Sequence, residues 1–128
     1  TSTSDPSEPF DAVSFPAPVT PADIVQAQLD AYNARNADAF AACYAPGVVV
    51  AELATGTVRC TGIAQLTQAY RDQFARWPGQ RARVVHRQIA GELIFDTEFV
   101  TGVPDRPDAH VVAIYQVRGG LIERVWFS

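Results

Sequence analysis

The sequence contains no lysine and no methionine, only two histidines and two cysteines, and no long apolar run. All ten basic residues are arginine, so Schiff-base chemistry on a lysine is excluded. Neither Cys43 nor Cys60 stands at metal-ligand spacing or has an evident base partner, and both are read as buried free thiols. No stretch of about 18 apolar residues is available to cross a bilayer. There is no basic-then-apolar leader either, which sets a cytoplasmic expectation. The missing methionine sets the further expectation that the numbering starts after a removed initiator or a processing point. Fourteen acidic residues against ten basic ones give a net charge of −4 and a pI near 5.0. Such a chain lacks the basic face that nucleic acid or an anionic membrane requires, so neither is expected as a partner.

What is present is enough apolar material for a core. With 128 residues, 48% of them hydrophobic, one domain can fold without help from metal or disulfide. Residues 1 to 19 are punctuated by Pro6, Pro9, Pro16 and Pro18. They are expected to form an extended arm, either draped over the folded body through Phe10 and Phe15 or left as a disordered leader.

From residue 20 the pattern becomes regular. Thr20-Pro21-Ala22-Asp23 has the makings of a capping box with proline at the first helical position. Val25, Leu29 and Tyr32 recur behind it at helical spacing, with Gln28 as the polar member of that face. Asn36 is placed to cap a second helix carrying Phe40, Cys43 and Tyr44, which Pro46-Gly47 is expected to end. Val48 to Leu53 reads as a strand and Val58 to Cys60 as its short return. A third helix opens at Thr61 with the stripe Ile63, Leu66, Tyr70, Phe74 and Trp77. Four strands follow, over 81–89, 93–101, 109–118 and 121–127, the last two joined by a hairpin at Gly119-Gly120. Helices before a meander predict an α+β domain over 20–128, with helices on one face of an antiparallel sheet. Val49, Val50, Leu66, Tyr70, Phe74, Ile114 and Trp126 are the expected core.

Several polar residues stand out against this frame. Glu52 shares a strand face with Val48 and Val50, so it either carries a carboxylate into an apolar cup or lies solvated at the strand end. His110 shares a face with Val112 and Ile114 and is expected on the core side, as a catalyst or as a satisfied structural histidine. His86 is expected to oppose Asp96 and Glu98 across a hairpin, as a pocket wall or as an ordinary ion pair. Glu52, His86, Glu98 and His110 could in principle hold a divalent ion, but no paired-histidine spacing supports it, and no metal or cofactor is expected.

Gln28 to Asn36, Tyr44 to Glu52, Thr61-Gly62, Ala113-Ile114-Tyr115, Gly120-Leu121-Ile122 and Trp126-Phe127 together resemble the nuclear transport factor 2-like superfamily. That superfamily includes SnoaL-like polyketide cyclases and ketosteroid isomerases. The resemblance implies a cone: three helices packed in the concavity of a curved antiparallel sheet, with a homodimer through the outer sheet face. It carries the isomerases' catalytic base onto Glu52, their oxyanion-binding tyrosine onto Gln28, and their protonated aspartate to a place near His110. It also implies a hydrophobic small molecule as partner, contacted by Tyr32, Tyr70, Phe74, His86, Glu98 and Trp126. The expected activity is a cofactor-independent isomerase, cyclase or lyase moving a proton on a carbonyl compound. The competing class is a non-catalytic binding or dimerisation module on the same fold.

Overall fold

The computed structural model describes residues 19–128, so the expectations for the arm before Val19, including Phe10 and Phe15, lie outside the described residues. Within that range run α1 (Pro21–Asn33), α2 (Ala37–Ala41), β1 (Tyr44–Glu52), β2 (Val58–Thr61), α3 (Ile63–Arg76), β3 (Arg81–Ala90), β4 (Leu93–Thr101), β5 (Ala109–Arg118) and β6 (Leu121–Phe127). Among the described residues no helix is long and apolar enough to cross a membrane.

Local chemistry accounts for most boundaries. The Thr20 hydroxyl accepts from the Asp23 amide, and the Asp23 carboxylate accepts from the Thr20 amide, closing the capping box. Asn36 caps α2 by accepting from the Ala39 amide. Gly119 and Gly120 both take positive φ, as a tight hairpin matched to strand twist requires. One boundary differs from expectation. The second helix stops at Ala41 and Tyr44 already pairs with Ile122 of β6, so Pro46-Gly47 does not end a helix. The pair sits where the β1–β6 register shifts, a place where a proline without an amide hydrogen is tolerated.

The six strands form one sheet in the order β2-β1-β6-β5-β4-β3, antiparallel throughout except for the parallel β1–β6 pair. The helices cover one face, α1 lying over β3 to β6 and α3 over β1 and β2. Val48, Val50, Ile94, Ala113, Tyr115, Val117, Ile122 and Val125 point into that layer and are buried with Val25, Phe40, Leu66 and Phe74 from the helices. Between the helices Tyr32, Phe40, Tyr44, Tyr70 and Phe74 interlock, with ring centroids from 4.5 Å (Phe40–Tyr70) to 6.2 Å (Tyr32–Tyr70). The end of α1 is fastened to the edge strand by Asn33, whose side chain donates to the Ala82 carbonyl and accepts from the Ala82 amide, both at 2.9 Å.

Of the seven expected core residues, Val50, Leu66 and Phe74 are buried, and Tyr70 is half-buried among the helical aromatics. Val49, Ile114 and Trp126 belong to the opposite face. Val49 pairs with Arg124, Ile114 with Trp126, and all three remain half-buried on the outer surface of the sheet.

Candidate functional site

The helices do not fill the concavity completely. A cavity of about 420 Å³ remains between α1, α3 and the inner face of the sheet, within the range typical of small-molecule sites. Leu29, Tyr32, Phe40, Tyr70, Val111 and Phe127 supply its apolar walls. It extends to the sheet end where β4 leaves for β5, where Trp77, Val103, Arg106, Pro107 and Ser128 line it.

A directional chain of hydrogen bonds crosses the cavity wall. The Tyr44 hydroxyl donates to Gln28 Oε1 at 2.8 Å, Gln28 Nε2 donates to the Tyr115 hydroxyl at 3.2 Å, and that hydroxyl donates to Glu98 Oε2 at 3.2 Å. All four residues line the cavity and are buried, Glu98 being only 5% exposed. Each polar group upstream has a partner, so the chain terminates on the carboxylate. Glu98 lines the cavity, and its Oε1 has no protein partner among the described residues.

Two carboxylates share this strand face, and their partners differ. Asp96, 1% exposed, is held by Arg87 in a two-pronged pair, Nε to Oδ1 at 2.7 Å and Nη2 to Oδ2 at 2.9 Å. Arg87 is itself anchored to Gln26 of α1. Glu98, two residues on, has no cation of its own. Burial and then the neighbouring Asp96 charge push its carboxyl up to about 7, against the smaller opposing pull of the Tyr115 hydrogen bond and of Arg87. Near neutral pH both the acid and the carboxylate are therefore populated, which is what a group that takes and returns protons needs. Burial also raises the Tyr32 phenol to about 12 and Tyr70 further, so both stay protonated as donors.

The sequence-derived candidates divide across the sheet. Gln28, Tyr32, Tyr70 and Glu98 line the cavity. Phe74 stands behind them, edge-on to Tyr32 at 5.5 Å, as helix packing rather than wall. Glu52 does lie on the helix-covered face, opposite Phe127, but as the last residue of β1 its side chain is 39% exposed and is bonded by Arg59 at 2.9 and 3.2 Å.

His110 corrects an expectation: it pairs with Phe99, lies tilted against that ring with centroids 4.9 Å apart, and occupies the outer face with Val112 and Ile114. Trp126 is on the outer face as well. His86 is displaced there by a register shift between Val84 and His86, which leaves Val85 unpaired and turns His86 outward opposite Thr97. Arg87 takes the inward place opposite Asp96 that His86 was expected to hold. Glu52, His110 and Gln28 therefore do not converge on one volume. No three His, Cys, Asp or Glu side chains among the described residues come together as a metal site.

Comparison with known proteins fits this geometry. A SnoaL-like domain matches residues 25–125. The chain belongs to the SnoaL-like domain family. Among solved structures, an uncharacterized cystatin-fold protein from Novosphingobium aromaticivorans is 26% identical, covering 87% of this chain and 99% of that one, with a TM-score of 0.79. A candidate polyketide cyclase from Sinorhizobium meliloti is 18% identical over 93% of this chain and 100% of its own, with a TM-score of 0.73. A candidate ketosteroid isomerase from Kribbella flavida is 23% identical over 81% and 73%, with a TM-score of 0.68. No curated protein matches the chain. The fold, helices packed on one face of a six-stranded sheet, is thus shared with a candidate polyketide cyclase and a candidate ketosteroid isomerase.

The sequence places Glu98 among the contact residues but does not display its isolation from any cation. The available signal was the inward set Ile94, Asp96 and Glu98, two carboxylates on a buried strand face with one nearby arginine to share. Arg59, Gln73, Gln80 and Arg106, which also line the cavity, carried no periodic signal.

Proposed function

We propose that this SnoaL-like domain is a cofactor-independent isomerase or cyclase that moves a proton on a hydrophobic carbonyl compound, with Glu98 as the acid/base. The observation that carries the reading is the buried Glu98 carboxyl, poised near 7, which lines the cavity with one oxygen fixed by Tyr115 and the other without a protein partner among the described residues. A carbonyl compound seated against Tyr32, Tyr70 and Leu29 presents an α-carbon proton to Glu98 Oε1. The Tyr70 hydroxyl, unbonded among the described residues, and the second N–H of Gln28 are the donors within the cavity for the enolate oxygen that develops. Glu98 then returns the proton to another atom of the same molecule. Tyr115 and Tyr44 hold Gln28 and Glu98 in register and do not exchange protons with the substrate. Glu52, tied to Arg59 at the cavity edge, is not part of this cycle.

The pairing partner we propose is a second copy of the chain. Phe95, Phe99, Val112, Ile114 and Trp126 form a half-buried apolar stripe on the sheet face that no described helix covers, which suits a self-complementary interface.

The test is hydrogen–deuterium exchange at the α-carbon of fused-ring ketones such as 2-tetralone and 2-decalone, followed by proton NMR. Wild type should accelerate exchange, and Glu98→Gln should lower it by roughly 10² to 10⁴-fold while leaving ketone binding within a few-fold. Equal exchange by the two proteins would remove the catalytic reading and leave the cavity as a binding site.

A further inference from the structure

Charge is distributed unevenly between the cavity and the rest of the molecule. The chain carries a net −4, yet the charged side chains lining the cavity are two arginines, Arg59 and Arg106, and a single carboxyl, Glu98, which is half-protonated near neutral pH. Arg59 already has a counter-ion: its Nε and Nη2 donate to Glu52 Oε2. Arg106 has none. Among the described residues its guanidinium makes no hydrogen bond or ion pair, and it lies 5.9 Å from the centre of the Trp77 ring.

Arg106 is an exposed residue at the rim of the cavity, carried by a loop of defined backbone geometry. It sits on the loop between β4 and β5, where its amide donates to the Val103 carbonyl and Asp105 adopts φ +62°. The base of that loop abuts the turn between α3 and β3: a Cβ at Gly102 would collide with the Gly79 carbonyl oxygen, and Gly102 has φ +79°. Trp77 belongs to that same turn as the C-cap of α3. Loop and turn are thus clasped together, which brings Arg106 beside Trp77 at the cavity, its guanidinium without a protein partner among the described residues. A planar fork of donors without a partner, beside an apolar cavity, is suited to a carboxylate.

We propose that the ligand of this cavity is a hydrophobic carboxylic acid, its apolar body in the cone and its carboxylate on Arg106. This rests on the reading of the cavity as the ligand site and adds the chemical class of what enters it. Trp77 reports on occupancy, because a carboxylate bound to Arg106 changes the surroundings of the indole beneath it.

The experiment compares 2-naphthoate and 4-phenylbenzoate with their methyl esters, by calorimetry and tryptophan fluorescence at pH 6. At that pH Glu98 mostly carries its proton and an ordinary carboxylic acid is ionised. Each acid should bind at least about tenfold more tightly than its ester, with the preference shrinking as salt is raised. Arg106→Gln should remove about tenfold from acid binding and change ester binding by less than twofold. Esters binding as well as acids, or Arg106→Gln weakening both alike, would overturn the proposal and leave the proton-transfer reading standing. Failure of all four compounds to bind would likewise overturn the carboxylic-acid proposal, the proton-transfer reading being decided by the ketone exchange.

Discussion

The Tyr115 hydroxyl lies 3.2 Å from Glu98 Oε2, and it is the only protein hydrogen bond that this buried carboxyl makes among the described residues. A single neutral donor gives far less stabilisation to a charge than the guanidinium on Asp96 does. Glu98 is therefore placed to be half-titrated near neutral pH, and its behaviour can be followed in stability as well as in catalysis.

The stability signature has a definite sign. Glu98 is raised in the folded state from the ordinary 4.5 to about 7, so the native protein holds this proton more tightly than the unfolded chain. Its contribution is fully present below about pH 4.5 and is lost as pH rises through about 7, a change on the order of 3 kcal/mol. Urea unfolding of wild type and Glu98→Gln at pH 4.5 and pH 8 should show the wild type losing that amount relative to the variant. Parallel pH profiles for the two proteins would contradict the assignment.

Two substitutions should move the same titration in opposite directions. Tyr115→Phe removes the hydrogen bond that lowers the Glu98 pKa, so the pH–rate limb attributed to Glu98 should shift upward. Asp96→Asn removes the negative neighbour and releases Arg87, so that limb should shift downward. The second variant should also cost on the order of 3 kcal/mol in stability, since it leaves Arg87 without its carboxylate. Shifts of the same sign in both variants would sink the electrostatic account.

The architecture and its punctuation were legible in the sequence because they depend on local chemistry: the Thr20–Asp23 box, the Asn36 cap and the Gly119-Gly120 hairpin each act within a few residues. Which face of each strand turns inward was less legible. On β5 both alternating sets are apolar, Ala113, Tyr115 and Val117 on one side and Val112 and Ile114 on the other, so period two carries no sign and His110 was assigned to the wrong side. On β3 the register shift at Val85 inverts the parity midway, and Arg87 takes the place foreseen for His86. Glu52 was assigned to the correct face, but how far the helices extend over that face is a tertiary fact that no strand pattern encodes.

The apolar outer face yields a prediction of its own. Ile114→Glu places a charge in the middle of the stripe formed with Phe95 and Trp126, away from the cavity. Light scattering should give a dimer for the wild type and a monomer for the variant, with the helix content of the two unchanged. A monomeric wild type at tens of micromolar would remove the dimer.

The central claim is that Glu98 exchanges its proton near neutral pH from within the cavity. The most direct measurement is the carbon-13 chemical shift of the glutamate side-chain carboxyls, followed from pH 3 to pH 9 and assigned by the resonance missing in Glu98→Gln. The account requires that resonance to titrate with a midpoint near 7. A midpoint in the ordinary glutamate range, near 4.3, would contradict it.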